Sequence, residues 1–177
     1  DNRRPGLYFA DGQQKDEVFE YGSYRQSRMY QAGVACTDCH EPHGGKLRAR
    51  GNGLCLQCHN SAANPRFAGL KAKDYDSPAH HFHQAGQPGS QCVDCHMPST
   101  NYMVVHGRRD HAIRIPQPAL SARLGSPDAC RGCHTGQSAE WATAAIEKHH
   151  GPRSRPPHYG EILAAARQRQ PGPARAL

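Results

Sequence analysis

What the sequence lacks is the material of an ordinary hydrophobic core. Among 177 residues, Leu, Ile, Val and Phe together number 22, and Trp occurs once. That is about an eighth of the chain, below the roughly one-fifth at which a composition starts to read as disordered. Side-chain packing alone is therefore not expected to fold it. No stretch of about 18 apolar residues occurs, so no segment reads as a membrane-spanning helix. Acidic residues are the minority, 15 against 22 Lys and Arg, giving a formal charge of +7. That charge has no nucleic-acid-binding motif beside it, and the chain has neither a phosphate loop nor a Ser-His-Asp pattern. No cysteine stands alone.

All eight cysteines fall in one five-residue motif that occurs four times, at Cys36-Thr-Asp-Cys39-His40, Cys55-Leu-Gln-Cys58-His59, Cys92-Val-Asp-Cys95-His96 and Cys130-Arg-Gly-Cys133-His134. Two thiols at this spacing can meet the two vinyl groups of one porphyrin as thioethers, and the histidine that follows reaches the iron as proximal ligand. The pattern reads as covalent c-type haem. The cysteines are then the attachment points, and His40, His59, His96 and His134 the proximal ligands. Zinc ribbons and knuckles also use paired Cys-x-x-Cys, but zinc does not explain a histidine directly after every second cysteine. A disulfide framework would close short, strained spacings instead of long loops.

Haem also answers the shortage of core. Four haems over 177 residues leave about 44 residues for each, so porphyrin faces would form the interior and the polypeptide its wrapping. The expected architecture is mainly α with extensive irregular loops and little β, a small chain wrapped around four covalent haems. Their propionates, about eight carboxylates, offset much of the positive charge, and the remaining Lys and Arg suit an acidic redox partner.

Along the chain, Leu7 to Ala10 and Glu17 to Tyr21 read as extended segments around an Asp11-Gly12 turn, a loop with hairpin character. Ser23 to Gln26 fits a capping box and Gly33 a stop, predicting a helix over about 23–32 that carries Tyr24, Met29 and Tyr30 to the first haem. Met29 is either an axial ligand or a packing residue on a porphyrin face. Residues 60–78 read as a loop separating the haem pairs. Ser77 and Pro78 then open a short helix presenting His80, His81 and His83. On a helix His80 and His83 share a face and could serve two haems, while His81 points elsewhere; in a looser turn His81 could replace His80. Ser126, Pro127 and Asp128 predict a helix start at the fourth motif. A further helix is expected from Ser138 to His150, stopped by Gly151, with His149 and His150 solvated at its end. The composition then shifts to Pro, Arg and Gly with a short amphipathic piece. This divides the chain into a haem domain, 1–150, and a basic tail, 151–177, able to dock on another subunit or remain partly disordered.

The run Cys36-Thr-Asp-Cys39-His40-Glu-Pro-His43, followed by Gly53-Leu54-Cys55-Leu-Gln-Cys58-His59, resembles the doubled-CxxCH class of multihaem cytochromes. The resemblance implies two haems in close, nearly parallel contact, with His43 ligating the second. Further on, Met97-Pro98, Tyr102-Met103-Val104-Val105 and Arg108-Arg109-Asp110-His111-Ala112-Ile113-Arg114-Ile115-Pro116 are similar to the cytochrome part of bacterial repeat-containing multihaem cytochromes. There the Tyr-Met-Val-Val segment is a strand. This likeness covers most of residues 7–150 and implies His111, ahead of His106, as a distal ligand. In such proteins helical repeats often begin where the tail starts, so either the repeats are absent or the parent chain is longer. Haem attachment of this kind takes place outside the cytoplasmic membrane, which implies an exported prokaryotic protein, periplasmic or extracellular. The chain opens at Asp1, as a mature or trimmed protein would.

Iron held by two histidines has no open position and can only change oxidation state, and nine histidines lie outside the motifs (13 minus 4) to fill the distal sites. The expected function is electron transfer, as a carrier or conduit with redox partner proteins. If a distal histidine came from a second copy, a head-to-tail contact would stack haems into a filament. The alternative from another class is a reductase of nitrite, hydroxylamine or peroxide at one open haem. A haem-bearing sensor or scaffold is weaker, because one haem would serve.

Overall fold

The computed structural model describes residues 6–102, 104–152 and 156–168. Met103 and two parts of the basic tail, 153–155 and 169–177, lie outside the described residues. In chain order the elements are α1 (Glu20–Tyr24), α2 (Arg28–Gln31), α3 (Cys36–Cys39), α4 (Gly53–Leu56), α5 (Pro78–His81), α6 (Cys92–His96), β1 (Ser99–Tyr102), β2 (His106–Arg109), α7 (Pro118–Leu124), α8 (Ala139–His150) and α9 (Tyr159–Arg167). The fold is mainly α and loop, with β1 and β2 paired antiparallel from Ser99 opposite Arg109 to Tyr102 opposite His106. Among the described residues no helix is long and apolar enough to cross a membrane.

Most of these helices are a single turn, far shorter than the roughly 12–15 residues an isolated helix needs to persist. Tertiary contacts must hold them, and the protein supplies few apolar ones. Among the described residues the buried apolar side chains are Tyr8, Ala10, Tyr24, Tyr102, Ala112, Leu120, Ala139 and Ala142, mostly small or hydroxylated. Polar links do much of the tying. Asp11 accepts from the Gln13 amide at 3.0 Å and from Ser126 Oγ at 2.6 Å. Through these bonds the N-terminal turn is fastened to the approach to the fourth motif, 115 residues away.

Several local expectations are corrected. Tyr8 does bridge Gln14 around the Asp11-Gly12 turn, but Glu20 and Tyr21 open a helix instead of extending. The single helix expected over 23–32 is two pieces, because Ser23 is buried against the Asp110 carboxylate and the chain re-caps at Ser27, whose Oγ accepts the Tyr30 amide at 3.0 Å. Val104 and Val105 are not strand: they form the hairpin tip, 86% and 85% exposed, with Val104 at φ 71°. The helix expected to start at Ser126 lies earlier, as α7, with Pro118 in its first turn and Gly125 at φ 63° ending it. Ser126 is spent on Asp11. The helix α8 begins where Ser138 predicts, its Oγ accepting from Trp141.

In the tail, α9 is seated on the body. Tyr159 donates its hydroxyl to Asp11 O at 2.7 Å, Arg123 pairs with Glu161 at 2.9 Å, and Gly160 leaves no room for a Cβ against Ala10 O at 2.8 Å.

Candidate haem centres

Each motif closes a tight turn in which the histidine amide returns to the carbonyl of the first cysteine: His40 to Cys36 at 2.8 Å, His59 to Cys55 at 2.9 Å and His134 to Cys130 at 2.9 Å. In the third motif Cys92 through His96 is one helix. The turn keeps both cysteines and the histidine within one helical turn, as attachment to a single porphyrin requires. None of the eight cysteines is paired in a disulfide. Their thiols also influence one another electrostatically from motif to motif. Cys55 and Cys92 share a thiol hydrogen bond. Burial raises Cys39, with Asp38 and then Cys58 adding to it. Burial also pushes Cys95 up to about 11, with help from Cys130. Each motif thus has a thiol within electrostatic reach of the next motif's.

The imidazoles sort by which nitrogen holds the proton. A backbone carbonyl can only accept, so a ring nitrogen facing one carries the proton and leaves the other nitrogen free to bind a metal. Among the proximal histidines, His40 Nδ1 donates to Gly45 O at 2.9 Å and His96 Nδ1 to Arg114 O at 2.7 Å. Two histidines outside the motifs do the same: His83 Nδ1 donates to His81 O at 2.6 Å and His111 Nδ1 to Arg109 O at 2.9 Å. His80, His81 and His106 are the reverse. Their Nδ1 atoms accept, from Lys73 Nζ at 3.4 Å, and from the His83 amide and Arg108 Nε, both at 3.2 Å. To bind a metal through Nε2, a neutral ring of that kind must move its proton to Nδ1 and release that donor.

Three motif histidines each face an imidazole from outside the motifs across similar gaps, while a fourth pair at 6.4 Å, His81 and His83, contains no motif histidine. The ring centroids are 6.3 Å apart for His40 and His111, 6.3 Å for His80 and His96, and 6.1 Å for His83 and His134. Two metal–imidazole bonds of about 2.0 Å and two ring radii of roughly 1.1 Å span about 6.2 Å, so the gaps fit one iron each. The second motif is different. His59 has Tyr75 edge-on at 5.7 Å, and burial lowers its basicity, with His96 adding to the effect. His43 is exposed in the turn after the first motif, its amide donating to Glu41 Oε1 at 3.0 Å.

The segment 80–83 is clasped from several sides. The helix α5 stops at His81, so His80 and His83 do not share a helical face; Phe82 at φ 58° turns the chain between them. His149 stacks on Phe82 at 3.9 Å, and His150 meets His80 edge-on at 5.7 Å. His149 is exposed, as the solvated reading expects, and His150 is half-buried; both rings nonetheless pack on the segment that presents His80 and His83. Trp141 of α8 lies 4.9 Å from His134. This packing was not visible from sequence, where Phe82 carried no signal apart from its neighbours.

The zinc reading finds no support here, since among the described residues no group of three or more His, Cys, Asp or Glu converges on a cation position. Comparison with known proteins agrees with haem. The doubled CXXCH motif model matches residues 29–64, and the cytochrome c552 model matches residues 70–155. The chain is a multihaem c-type cytochrome. Its cofactor is covalently bound haem c. In fold the cytochrome is similar to the crystal structure of outer cell wall cytochrome OcwA, with a TM-score of 0.57 at 17% identity over 83% of this chain. The chain spans 41% of that protein's length. No curated protein matches it.

Proposed function

We propose that the cytochrome is a tetrahaem electron conduit in which each motif holds one haem c and a second histidine closes each iron. The observation that carries this reading is the set of three facing imidazole pairs. His111 completes the site of His40, His80 that of His96, and His83 that of His134. His43 is assigned to the site of His59, on the Cys-x-x-Cys-His-x-Pro-His resemblance. His81 and His106 are left out, because among the described residues neither ring faces a motif histidine; His81 faces His83 at 6.4 Å.

Haem c supplies a one-electron couple at each motif, with a potential set by axial ligands, burial and nearby charge. The polypeptide closes both axial positions, excludes substrate from them, and keeps thiols of neighbouring motifs within electrostatic reach of one another, as a wire needs. Residues 1–150 form the cytochrome unit and 151–177 its basic tail. Haem attachment outside the cytoplasmic membrane, together with the fold likeness to an outer cell wall cytochrome, supports a periplasmic or extracellular location. The partners are redox proteins with acidic docking faces; a second copy joined head to tail would extend the row into a filament.

One observation favours a second reading, a reductase with one open haem: the ring neighbour of His59 is Tyr75 and not a histidine. The two separate by haem stoichiometry and turnover. The conduit reading expects four haems per chain by pyridine haemochrome assay and no sustained reduction of nitrite or hydroxylamine by the dithionite-reduced protein. Catalytic turnover would overturn it.

A further inference from the structure

Four imidazoles donate from Nδ1 to a backbone carbonyl, and His111 alone among them also faces a carboxylate. Its Nδ1 lies 2.9 Å from Arg109 O and 3.3 Å from Glu20 Oε2. Glu20, the first residue of α1, does not reach this place as a loose surface acid. Its Oε2 accepts from Gln14 Nε2 at 3.1 Å, and Gln14 Oε1 accepts the Tyr102 hydroxyl at 3.2 Å. Gln14 and Tyr102 are 3% and 5% exposed. A buried relay from β1 through the N-terminal turn thus holds the carboxylate on the back of the imidazole. His40, His83 and His96 donate to neutral carbonyls, at Gly45, His81 and Arg114.

A carboxylate behind Nδ1 draws on the ring proton and makes the opposite nitrogen a stronger donor, which favours the oxidised, more positive metal; its negative charge acts in the same direction. We propose that Glu20, acting through His111, holds the haem attached at Cys36 and Cys39 at the lowest potential in the row. The first motif is then the low-potential end, and electrons entering there run downhill toward the fourth. Glu20 is a positioning residue. The inference rests on the assignment of His111 opposite His40.

The test is a spectroelectrochemical titration of the haem-loaded protein and its variants. Glu20→Gln keeps the shape and removes the charge. It is expected to raise the lowest midpoint so that the reduced-to-oxidised ratio at fixed potential rises on the order of tenfold, ~59 mV for a one-electron couple, with the low-spin spectrum unchanged. Glu17→Gln removes a nearby carboxylate that pairs with Arg108 at 3.4 Å, and is expected to leave that midpoint in place. An unmoved lowest midpoint in Glu20→Gln, or an equal shift in Glu17→Gln, overturns the inference. His111→Ala separates this from the assignment beneath it: loss of one low-spin ferric signal upholds His111 as a ligand, and an unaltered spectrum overturns both.

Discussion

The imidazoles of His80 and His96 face each other with their planes only 7° apart. The other two pairs are tilted by 31° and 39°. In low-spin ferric haem, near-parallel axial imidazoles give a rhombic paramagnetic signal, and near-perpendicular ones a strongly axial signal at large g. The three sites are therefore expected to contribute rhombic signals, with that of His80 and His96 the most rhombic. His80→Ala should delete that component and leave the other two. Deletion of a large-g component instead would contradict the pairing.

His83 and His81 are two residues apart but should behave differently. His83→Ala is expected to open one haem, seen as carbon monoxide binding to the reduced protein. His81→Ala should not, because the ring that His81 faces is His83, at 6.4 Å, and not a motif histidine. Gly89 gives an independent handle. It sits at φ 88°, and a Cβ there would lie 2.6 Å from His83 Cδ2. Gly89→Ala should push the ring aside and reproduce the His83→Ala spectrum in part, an outcome read from the carbon monoxide difference spectrum.

The polypeptide by itself should not fold. Its buried apolar side chains are few and mostly small, and a one-turn helix cannot stand alone. The chain with all eight motif cysteines replaced by Ala is expected to melt without a cooperative transition in calorimetry or circular dichroism. A sharp transition would show that polar ties such as Asp11 with Ser126 suffice.

The first motif should weaken in acid. Asp38 accepts from Arg66 Nη1 at 2.7 Å and from the Ala35 amide at 2.8 Å. The Arg66 guanidinium, and then the Ala35 amide, lower its pKa to about 2. A carboxyl depressed in the folded state stabilises above its unfolded value, near 3.9, and that contribution fades as pH falls from about 4 to about 2. The pair is exposed, so the effect is small. Asp38→Asn should flatten the acid limb of the melting curve over that window, and an unchanged limb would remove Asp38 from the account.

Much of the site was legible because its chemistry is local. Four identical motifs fix attachment points and proximal ligands whatever the fold does around them, and Ser138 and Gly151 mark α8 by side-chain and backbone rules that act within one turn. Distal partners are another matter. His111 lies 71 positions from His40, and only the folded loops bring the rings face to face. Ser23 and Ser126 misled for the same reason: each looks like a cap, but a buried carboxylate from a distant segment, Asp110 or Asp11, takes its hydroxyl. Composition marked the tail as separate, yet α9 is seated through Tyr159 and Gly160, whose contacts on the N-terminal turn leave no periodic pattern.

The most direct measurement is electron paramagnetic resonance of the oxidised, haem-loaded cytochrome, integrated against total iron, with carbon monoxide added to the reduced form. Closure of every iron by two histidines predicts four low-spin ferric haems, no high-spin signal and no carbon monoxide adduct. A high-spin fraction near one quarter of the iron, with matching carbon monoxide binding, would contradict it and leave the haem of His59 as the place to look.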